Sequence, residues 1–415
     1  MTLVACQIIF FAPFCGQKPL PTLLYCRSAA PHPFTANYCF MSDHPLKIGI
    51  TCHPSVGGSG ILASELGEEL AKRGHEIHFI SHAAPFRLPQ DQPRIHFHPV
   101  KVNDYDLFKY PDYTLPLSVK MAEVSAAHQL DILHVHYAVP HATAAMLAMS
   151  MLPPESRPKV IVTLHGTDVM LLGCDAGYGP AIRHALEAAD GVTTVSQFLQ
   201  GQVRTHLGYN GHVEVIPNFF APQKPTRTRE AVRAELELLP GEVMILHASN
   251  LRPVKRIDLL LQTIAQIRLR NSFKLVVLAG GDSSGLIAEA TKLGIADRIV
   301  VREKVTAIED YLNAADLGLF TSELESFCLS ILEGMTFGCP SVAFAVGGIP
   351  EVVETGKHGL LVPFGDTAAL AHAAESLIAD PARRSALGAA ARERAAALFS
   401  AERIVGQYED YYRRL

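Results

Sequence analysis

Short apolar runs alternate with amphipathic stretches from Lys47 onward. Short apolar runs predict buried strands, and apolar positions spaced three and four residues apart predict helices. The stretch ILASELGEELAKRG at 61–74 has the helical spacing and ends at a glycine. The predicted strands of this first series lie at 46–51, 76–81, 132–137, 159–165, 191–196 and 212–218. Strands that alternate with helices are typical of a parallel sheet covered on both faces.

A second series of the same kind follows the polar stretch APQKPTRTRE at 221–230, which predicts a linker. Its predicted strands lie at 242–249, 274–280, 298–301, 316–322, 340–345 and 358–363. We therefore predict two α/β domains, at 46–218 and 219–398, and a C-terminal amphipathic helix within 399–415. Ligands of such sheets bind beyond the carboxyl ends of the strands, so we expect a cleft between the two halves.

Length, charge and cysteine content fit a globular enzyme of two domains. A chain of 415 residues exceeds what one hydrophobic core usually supports. The net charge of −5 gives no support for general nucleic-acid binding, so any anion site must be a local cluster. Half of the eight cysteines precede residue 40, and the rest of the chain predicts a reduced, cytosolic protein without a disulfide framework.

Residues 1–45 show neither helical nor strand periodicity. We expect them to be an unstructured or mis-assigned extension, with Met41 as the natural start. A secretory signal needs a basic region before its apolar stretch, and the first basic residue is Lys18. The apolar stretch from Ile8 to Phe14 is too short to cross a bilayer, and no other segment is a transmembrane candidate.

Two loops have the composition of anion sites, HPSVGGSG at 53–60 and SNLRPVKR at 249–256. Gly57 and Gly58 let the backbone approach a ligand closely, and the helix that begins there offers free N–H groups. The spacing fits neither a Walker A loop nor a dinucleotide fingerprint. Arg252 and Lys255 precede a predicted helix, where positive charge is unfavourable unless an anion offsets it. A tight turn and a solvated basic loop are the alternatives to a diphosphate site.

Histidines end two of the predicted strands, in HVHY at 134–137 and LHGTD at 164–168. His134, His136 and His165 could form a zinc site, because alternate residues of a strand share a face. Against zinc, no acidic or cysteine ligand stands at a recognisable spacing, and there is no H-E-x-x-H motif. We expect His165 to contact a polar substrate and keep zinc as the alternative.

The segment ESFCLSILEG at 325–334 places two glutamates eight positions apart. It follows a predicted strand, so we expect Glu325 at the mouth of the cleft and Ser326 as the N-cap of the next helix. Glu333 then lies on an otherwise apolar helix, and a buried carboxylate needs a partner. Vicinal hydroxyls, such as those of a ribose, would supply two hydrogen bonds. A surface position for Glu333 is the alternative.

Together these motifs resemble the retaining GT-B glycosyltransferases, which use nucleotide sugars as donors. The family's Glu-x7-Glu signature is matched by Glu325 and Glu333, its basic loop by Arg252 and Lys255, and its Gly-rich loop by 57–60. The resemblance extends from residue 46 to the C-terminus. It implies two Rossmann-like domains that face each other across a cleft, with the C-terminal helix crossing back to the N-terminal domain.

Within that family, KIGITCHPSVGGSG, LDILHVHYAVPHA, TLHGTDV and GGIPEVVE are similar to a branch in bacillithiol biosynthesis. Enzymes of that branch transfer N-acetylglucosamine (GlcNAc) from UDP-GlcNAc to the hydroxyl of L-malate with retention of configuration, and they release UDP. The resemblance implies no cofactor, no obligatory metal, no nucleic-acid partner, no membrane insertion, a cytoplasmic location and a homodimer. The alternatives are another acceptor, such as an inositol phosphate or a glycan, and a non-catalytic sugar-nucleotide-binding protein.

The resemblance also implies roles for individual residues. The catalytic residues would be His165, Arg252, Lys255 and Glu325. The donor site would consist of Gly57, Gly58, Asn250, Arg252, Lys255, Glu325, Ser326, Phe327, Cys328 and Glu333. In that site Glu333 would bind the ribose and Glu325 the GlcNAc ring. The malate pocket would be lined by Ser59, Tyr137 and Thr163, with Asn218 as a weaker candidate at the cleft. Cys328 departs from the family pattern, which usually has glycine there.

Overall fold

A computed structural model describes residues 44–54, 58–85, 88, 92–102, 112–269 and 272–415 of the chain. The expected extension at 1–45 therefore lies almost entirely outside the described residues, and so does Gly57. Residues His44–Leu415 form one compact unit that contains both predicted α/β halves.

The first half contains a parallel sheet. Its strands are β1 (Lys47–Thr51), β2 (Glu76–Ser81), β3 (Ile95–Pro99), β4 (Ile132–His136), β5 (Lys159–Leu164), β6 (Gly191–Thr194) and β7 (Glu214–Val215). Among the described residues this sheet has seven strands in the order β3-β2-β1-β4-β5-β6-β7. Ile48 of β1 is paired with Ile77 on one side and Ile132 on the other. The strand order reverses between β1 and β4, and such a switch point leaves a crevice at the carboxyl ends of the strands.

The helices of the first half connect these strands. They are α1 (Gly58–Lys72), α2 (Thr114–His128), α3 (Ala138–Met151), α4 (Thr167–Met170), α5 (Gly179–Glu187) and α6 (Gln197–Leu207). Local sequence sets the ends of α6. The Ser196 hydroxyl accepts a hydrogen bond from the N–H of Leu199, and Gly208 ends the helix in the left-handed conformation.

The second half repeats the architecture. Its strands are β8 (Val243–Ser249), β9 (Phe273–Ala279), β10 (Ile299–Glu303), β11 (Leu317–Phe320), β12 (Ser341–Phe344) and β13 (Gly359–Val362). Within the described part of the chain they form a six-stranded parallel sheet in the order β10-β9-β8-β11-β12-β13. The order reverses between β8 and β11, so the carboxyl ends of these two neighbours flank a second crevice.

Nine helices belong to the described residues after the first sheet. They are α7 (Arg229–Glu235), α8 (Ile257–Gln266), α9 (Ser284–Lys292), α10 (Ile308–Ala314), α11 (Leu329–Thr336), α12 (Ile349–Val352), α13 (Thr367–Ala379), α14 (Pro381–Leu398) and α15 (Ala401–Arg414). Asp366 and Asp380 cap α13 and α14 through their side chains. In the ranges that the structure covers, no helix has both the length and the apolar character needed to span a membrane.

The predicted strands are all present, and β3 is a strand that the pattern missed. Its sequence, IHFHP, has histidines at alternate positions, and its residues are half-buried or exposed at the edge of the sheet. A half-exposed edge strand lacks the apolar run by which the buried strands were recognised.

The C-terminal helix crosses back to the first half, as the resemblance implied. Tyr408 and Tyr412 of α15 belong to the same hydrophobic cluster as Ile50 of β1. The Tyr412 hydroxyl lies 2.8 Å from Nδ1 of His134 in β4. Outside this cluster, Glu409 pairs with His75 at 2.8 Å. The last helix therefore completes the core of the first half.

Candidate active site

Two loops at the carboxyl ends of the adjacent strands β8 and β11 lie side by side. We call them the basic loop (250–256) and the acidic loop (321–328). The Thr321 hydroxyl is 3.1 Å from the carbonyl oxygens of both Lys255 and Arg256, to which it can donate. Residues far apart in sequence are thus held together at the crevice of the second sheet.

The centre of this arrangement is an ion pair between Lys255 and Glu325. The Lys255 ammonium lies 2.6 Å from Oε1 of Glu325, which also accepts a hydrogen bond from the Ser322 hydroxyl at 2.7 Å. Burial opposes the charge of Lys255, but the Glu325 carboxylate outweighs it, and the pKa of Lys255 is raised. Lys255 therefore carries a fixed positive charge at the crevice.

The other two cations of the basic loop differ in their surroundings. Arg256 is bonded to Asp258, with Nη2 2.7 Å from the carboxylate. Arg252 is exposed on the same loop. We therefore assign an anionic ligand to Arg252, which is exposed, and to Lys255, which the Glu325 carboxylate holds at the crevice.

A glycine turn after β12 packs against the acidic loop. The N–H of Gly348 donates to the carbonyl of Glu325 at 2.9 Å. Gly347 has a φ of 55°, and a Cβ there would lie 1.9 Å from the same carbonyl oxygen. The GGIPEVV stretch therefore needs glycine because of both its backbone conformation and its close approach to Glu325.

The prediction that Ser326 caps α11 is wrong. The N-cap of α11 is Cys328, without a side-chain hydrogen bond, and the Ser326 hydroxyl instead donates to the carbonyl of His165 at 2.6 Å. Cys328 has a φ of 72°, in the left-handed region that glycine adopts without strain. This conformation explains why glycine suits the position and why Cys328 is a costly departure.

Phe327, Cys328 and Glu333 are all buried behind the acidic loop. Burial raises the pKa of the Cys328 thiol well above its usual range, so this thiol is neutral and not a nucleophile. Glu333 is 6% exposed on the second turn of α11. The surface alternative for Glu333 is therefore wrong, while its contact with a ribose stays a prediction.

In the first half, Asp168 organises the loop that carries His165. Its fully buried carboxylate accepts hydrogen bonds from the N–H groups of Ala138 (3.0 Å), His165 (3.1 Å) and Gly166 (2.8 Å). Burial raises the pKa of Asp168, and these hydrogen bonds oppose the shift. Asp168 thereby joins the end of β4 to the end of β5. Sequence reasoning quoted it in TLHGTDV without giving it a role.

His165 lies at the head of a row of buried imidazoles. Its Nε2 is 3.1 Å from Nδ1 of His136, whose ring is 4.1 Å from that of His134 between centroids. Burial lowers the pKa of His165 to about 3. His165 is therefore a neutral imidazole, suited to hydrogen bonding with a substrate and not to carrying a charge.

The zinc alternative is not supported by this row. Both ring nitrogens of His134 are in hydrogen-bond contacts, with the Tyr412 hydroxyl at 2.8 Å and the Thr163 hydroxyl at 2.7 Å. Thr163 is fully buried, and its hydroxyl is also 2.6 Å from that of Thr193. The structure thus places Thr163 inside the sheet, and this placement does not support its predicted contact with malate.

Tyr137 ends β4 in a strained conformation, with φ 75° and ψ 120°. Burial and then Asp168 raise the pKa of its phenol, while a hydrogen bond from Thr167 and the charge of Arg252 act in the opposite direction. His53 packs edge-on against Tyr137, with ring centroids 5.1 Å apart, and sequence reasoning did not single it out.

The first helix follows β1 and therefore begins at the crevice of the first sheet. Gly58 and Ser59 form the start of α1, a helix of 15 residues whose first turn holds no acidic side chain. Gly57, predicted beside them, lies outside the described residues. The N–H groups at the start of such a helix favour an anion.

Two asparagines, Asn250 and Asn218, lie next to the strand ends that form the site. The side-chain oxygens of Asn250 and Asn218 are buried and have no hydrogen-bond partner among the described residues. Asn250 directly follows β8 in the basic loop, where a bound ligand could satisfy it. Asn218 follows β7 and is 9% exposed.

The two halves meet at this site. Ser326 bonds to His165 as described, and Glu351 of α12 accepts hydrogen bonds from the N–H groups of Gln197 (2.9 Å) and Phe198 (2.8 Å) at the start of α6. The acidic loop and α12 of the second half thus contact the ends of β5 and α6 of the first half. Such a cleft can hold a diphosphate between its halves and bring a donor and an acceptor together.

Family comparisons agree with this geometry. Residues 56–224 match the model described as Glycosyltransferase Family 4, and residues 228–394 match the model described as Glycosyl transferases group 1. The fold is the GT-B fold of two facing Rossmann-like domains. The sucrose-phosphate synthase of Thermosynechococcus elongatus shares it with a TM-score of 0.74 and 24% identity, over 89% of this chain and 98% of that one.

Two curated relatives align over most of the chain. The D-inositol 3-phosphate glycosyltransferase of Xylanimonas cellulosilytica is 28% identical in an alignment of 381 positions that covers 81% of this chain and 87% of that protein. The N-acetyl-alpha-D-glucosaminyl L-malate synthase of Bacillus anthracis is 42% identical over 369 residues, which are 88% of this chain and 96% of that protein. The chain therefore belongs to the glycosyltransferase family that includes the N-acetyl-alpha-D-glucosaminyl L-malate synthases.

Proposed function

We propose that this protein transfers GlcNAc from UDP-GlcNAc to the hydroxyl of L-malate, with release of UDP, as the first step of bacillithiol biosynthesis. The observation that carries the proposal is the 42% identity to a malate synthase along 88% of the chain. An inositol phosphate transferase aligned over a similar length is 28% identical. A non-catalytic binding protein is disfavoured, because Arg252, Lys255 and Glu325 are all present at the cleft.

The donor diphosphate would lie between the start of α1 and the basic loop. Arg252 and Lys255 would bind its oxygens, and the ion pair with Glu325 holds the ammonium in position. Negative charge grows on the diphosphate as UDP departs. Fixed positive groups at that point stabilise the transition state more than the ground state, which is the condition for catalysis.

Glu325 and Glu333 would recognise the two ends of the donor. Lys255 and Ser322 both bond to Oε1 of Glu325, so we assign Oε2 to the hydroxyls of the GlcNAc ring. The buried carboxylate of Glu333 would accept hydrogen bonds from the ribose. His165 would donate or accept a hydrogen bond at the sugar as a neutral imidazole.

Retention of configuration would follow from attack on the face that UDP leaves. A retaining glycosidase uses two carboxylates about 5 Å apart, one of them as a nucleophile. Here Oε1 of Glu325 is engaged by Lys255 and Ser322, and we assign this carboxylate to binding the sugar and not to nucleophilic attack. We propose that the malate oxygen bonds to the anomeric carbon as the bond to the phosphate oxygen breaks. A β-phosphate oxygen then takes the proton of the malate hydroxyl.

The acceptor pocket would be built by the first half. L-malate carries two carboxylates, so its pocket needs hydrogen-bond donors at both ends. The start of α1, with Ser59, offers N–H and O–H donors, and the hydroxyl of Tyr137, which directly follows β4, would add another. We add His53, which packs against Tyr137, to this pocket and give Thr163 no direct contact.

The remaining expectations from the family also belong to this proposal. We propose that transfer needs no metal ion, that the protein acts in the cytoplasm, and that it forms a homodimer. Activity that persists in excess EDTA, and a dimeric mass in light scattering, would support the first and last of these.

The deciding experiment offers UDP-GlcNAc with L-malate, D-malate, L-lactate or an inositol phosphate, and mass spectrometry identifies the product. We expect a GlcNAc-malate conjugate and equimolar UDP with L-malate, and far slower transfer to L-lactate. A missing carboxylate would leave buried donors unpaired, at about 1–3 kcal/mol for each. Equal turnover of L-lactate, or a preference for inositol phosphate, would overturn the malate assignment and leave the transferase class intact.

A further inference from the structure

Four histidines and a glutamate meet at the free edge of the first sheet, away from the cleft. We call this group the edge cluster; it consists of Glu76, His78, His96, His98 and His128. His78 in β2 is paired in register with His96 of the edge strand β3. His98 lies two residues further along β3 and therefore on the same face. His128 is the last residue of α2, a helix that packs against β2.

The distances within the edge cluster are those of potential ligands. One nitrogen each from His78, His98 and His128 lies within 4.8 Å of the others. Nδ1 of His78 is 3.0 Å from Nε2 of His98, and the ring of His128 is 4.3 Å from that of His78. Donors of a tetrahedral Zn²⁺ site are about 3.3 Å apart, because Zn–N bonds are about 2.0–2.1 Å long. Small side-chain movements would thus bring three nitrogens onto one ion.

Glu76 stands where such a site needs an orienting carboxylate. Its Oε1 is 3.2 Å from Nε2 of His78 and 3.5 Å from Nε2 of His96. Nε2 of His78 is buried and makes no aligned hydrogen bond within the described residues. Histidine ligands commonly donate their second ring N–H to a carboxylate, which fixes the ring and its tautomer. With Nδ1 of His78 on a metal, Nε2–H would point toward Glu76.

The lysines beside the edge cluster are engaged elsewhere, Lys47 with the carbonyl of His128 at 3.0 Å and Lys120 with Glu123.

We propose that the edge cluster binds one divalent ion of the zinc class through His78, His98 and His128, with Glu76 as the orienting carboxylate. Imidazole ligands select Zn²⁺, Co²⁺, Ni²⁺ or Cu²⁺ over Mg²⁺ and Ca²⁺, which prefer oxygen. His78 is fully buried, whereas His98 and His128 are partly exposed, so an ion can enter from the solvent.

The role of this ion would be to stabilise the fold. It would tie the end of α2 to β2 and the edge strand β3, and edge strands are the parts of a sheet that most need protection. The donor and acceptor sites lie at the carboxyl ends of other strands, so sugar transfer should not require the ion. The proposal therefore does not depend on the proposed function.

The experiment uses the full chain after removal of metal with a chelator and titrates it with Co²⁺, then with competing Zn²⁺. We expect one Co²⁺ per chain, visible absorption bands typical of tetrahedral coordination, displacement by Zn²⁺, and a higher unfolding temperature with Zn²⁺. His98→Asn and His128→Asn should each abolish the bands. Glu76→Gln should weaken Zn²⁺ binding by about 10- to 100-fold. His184→Asn is the matched control, since the His184 side chain is 71% exposed on α5.

The far-UV circular dichroism spectrum shows whether each variant is folded, and only folded variants are compared. The proposal is overturned if the wild-type chain gives no Co²⁺ bands at a several-fold excess of metal. It is equally overturned if folded His98→Asn and His128→Asn bind Co²⁺ as the control does. UDP release measured on the same samples should not change with Zn²⁺, which separates this result from any failure of the transferase assignment.

Discussion

Three buried imidazoles next to the site should make the protein sensitive to mild acid. His134, His136 and His141 are fully buried. Burial, as the largest cause, lowers the pKa of His134 and His141 to about 3 and that of His136 well below its usual value. In the unfolded chain a histidine has a pKa of about 6.5. Below that pH the unfolded state therefore binds more protons than the folded state.

The sign and size of the effect follow from proton linkage. Above pH 6.5 these histidines are neutral in both the folded and the unfolded chain, and they lower stability by nothing. As the pH falls from 6.5 toward 3, only the unfolded chain binds protons, and the free energy of unfolding decreases progressively. At pH 5.5 each unfolded imidazole gains about 1.4 kcal/mol from protonation, against less than about 0.1 kcal/mol at pH 7.5. The three together should lower the free energy of unfolding by about 4 kcal/mol between these pH values. That is a large share of a total that is usually about 5–15 kcal/mol.

Urea titrations at pH 7.5 and 5.5 measure this loss. The chain has no tryptophan, so far-UV circular dichroism is the suitable signal. His141→Asn should reduce the difference between the two pH values by about 1.4 kcal/mol, whatever its effect on stability at pH 7.5. The exposed-site variant His184→Asn should leave the difference unchanged. A loss below about 1 kcal/mol in the wild-type chain would refute the assignment of these histidines as buried and neutral.

Three further predictions concern the cleft. Glu333→Gln should weaken UDP-GlcNAc binding by about 10- to 100-fold, because it loses charge-assisted hydrogen bonds worth about 1.5–3 kcal/mol. An unchanged affinity in calorimetry would contradict the ribose role of Glu333. Arg252→Ala should lower kcat on the order of a hundredfold with a smaller change in donor affinity, and a change in KM alone would assign it to ground-state binding. Gly347→Ala should destabilise the fold by about 2–4 kcal/mol, because its Cβ would meet a carbonyl oxygen. Gly356→Ala, with a φ of 81° and open space around it, is the control and should show only the backbone strain, about 1–2 kcal/mol.

The parts of the fold that rest on periodicity were predictable from the sequence. Buried strands such as β4 and β8 appear as apolar runs, since both faces of a parallel sheet are covered. The positions of Lys255 and Glu325 at strand ends followed from the same pattern. Their pairing did not, because it depends on β8 and β11 being neighbours, and the sheet order is a tertiary property.

The finer features of the site were beyond sequence reasoning for physical reasons. Ser326 has the composition of an N-cap, but its hydroxyl bonds to His165, a partner 161 residues away. Thr163 stands one residue before the end of β5, and only the packing of α15 and β6 shows that it is enclosed. Asp168 gave no signal in the sequence, because its carboxylate accepts N–H groups that precede it in sequence, one of them from Ala138, 30 residues away.

The helix α15 has a consequence for the order in which the protein is made. The ribosome releases the first sheet early, but Tyr408 and Tyr412, which fill the core of that sheet, are synthesised only after the second sheet. Until these residues are synthesised, His134 lacks the Tyr412 hydroxyl, and the apolar surface of β1 and α1 against which α15 packs stays exposed. Many N-terminal domains fold before the rest of the chain has been translated. The first half of this protein cannot complete its native fold in that way. The core of the first sheet therefore stays incomplete while the entire second half is translated.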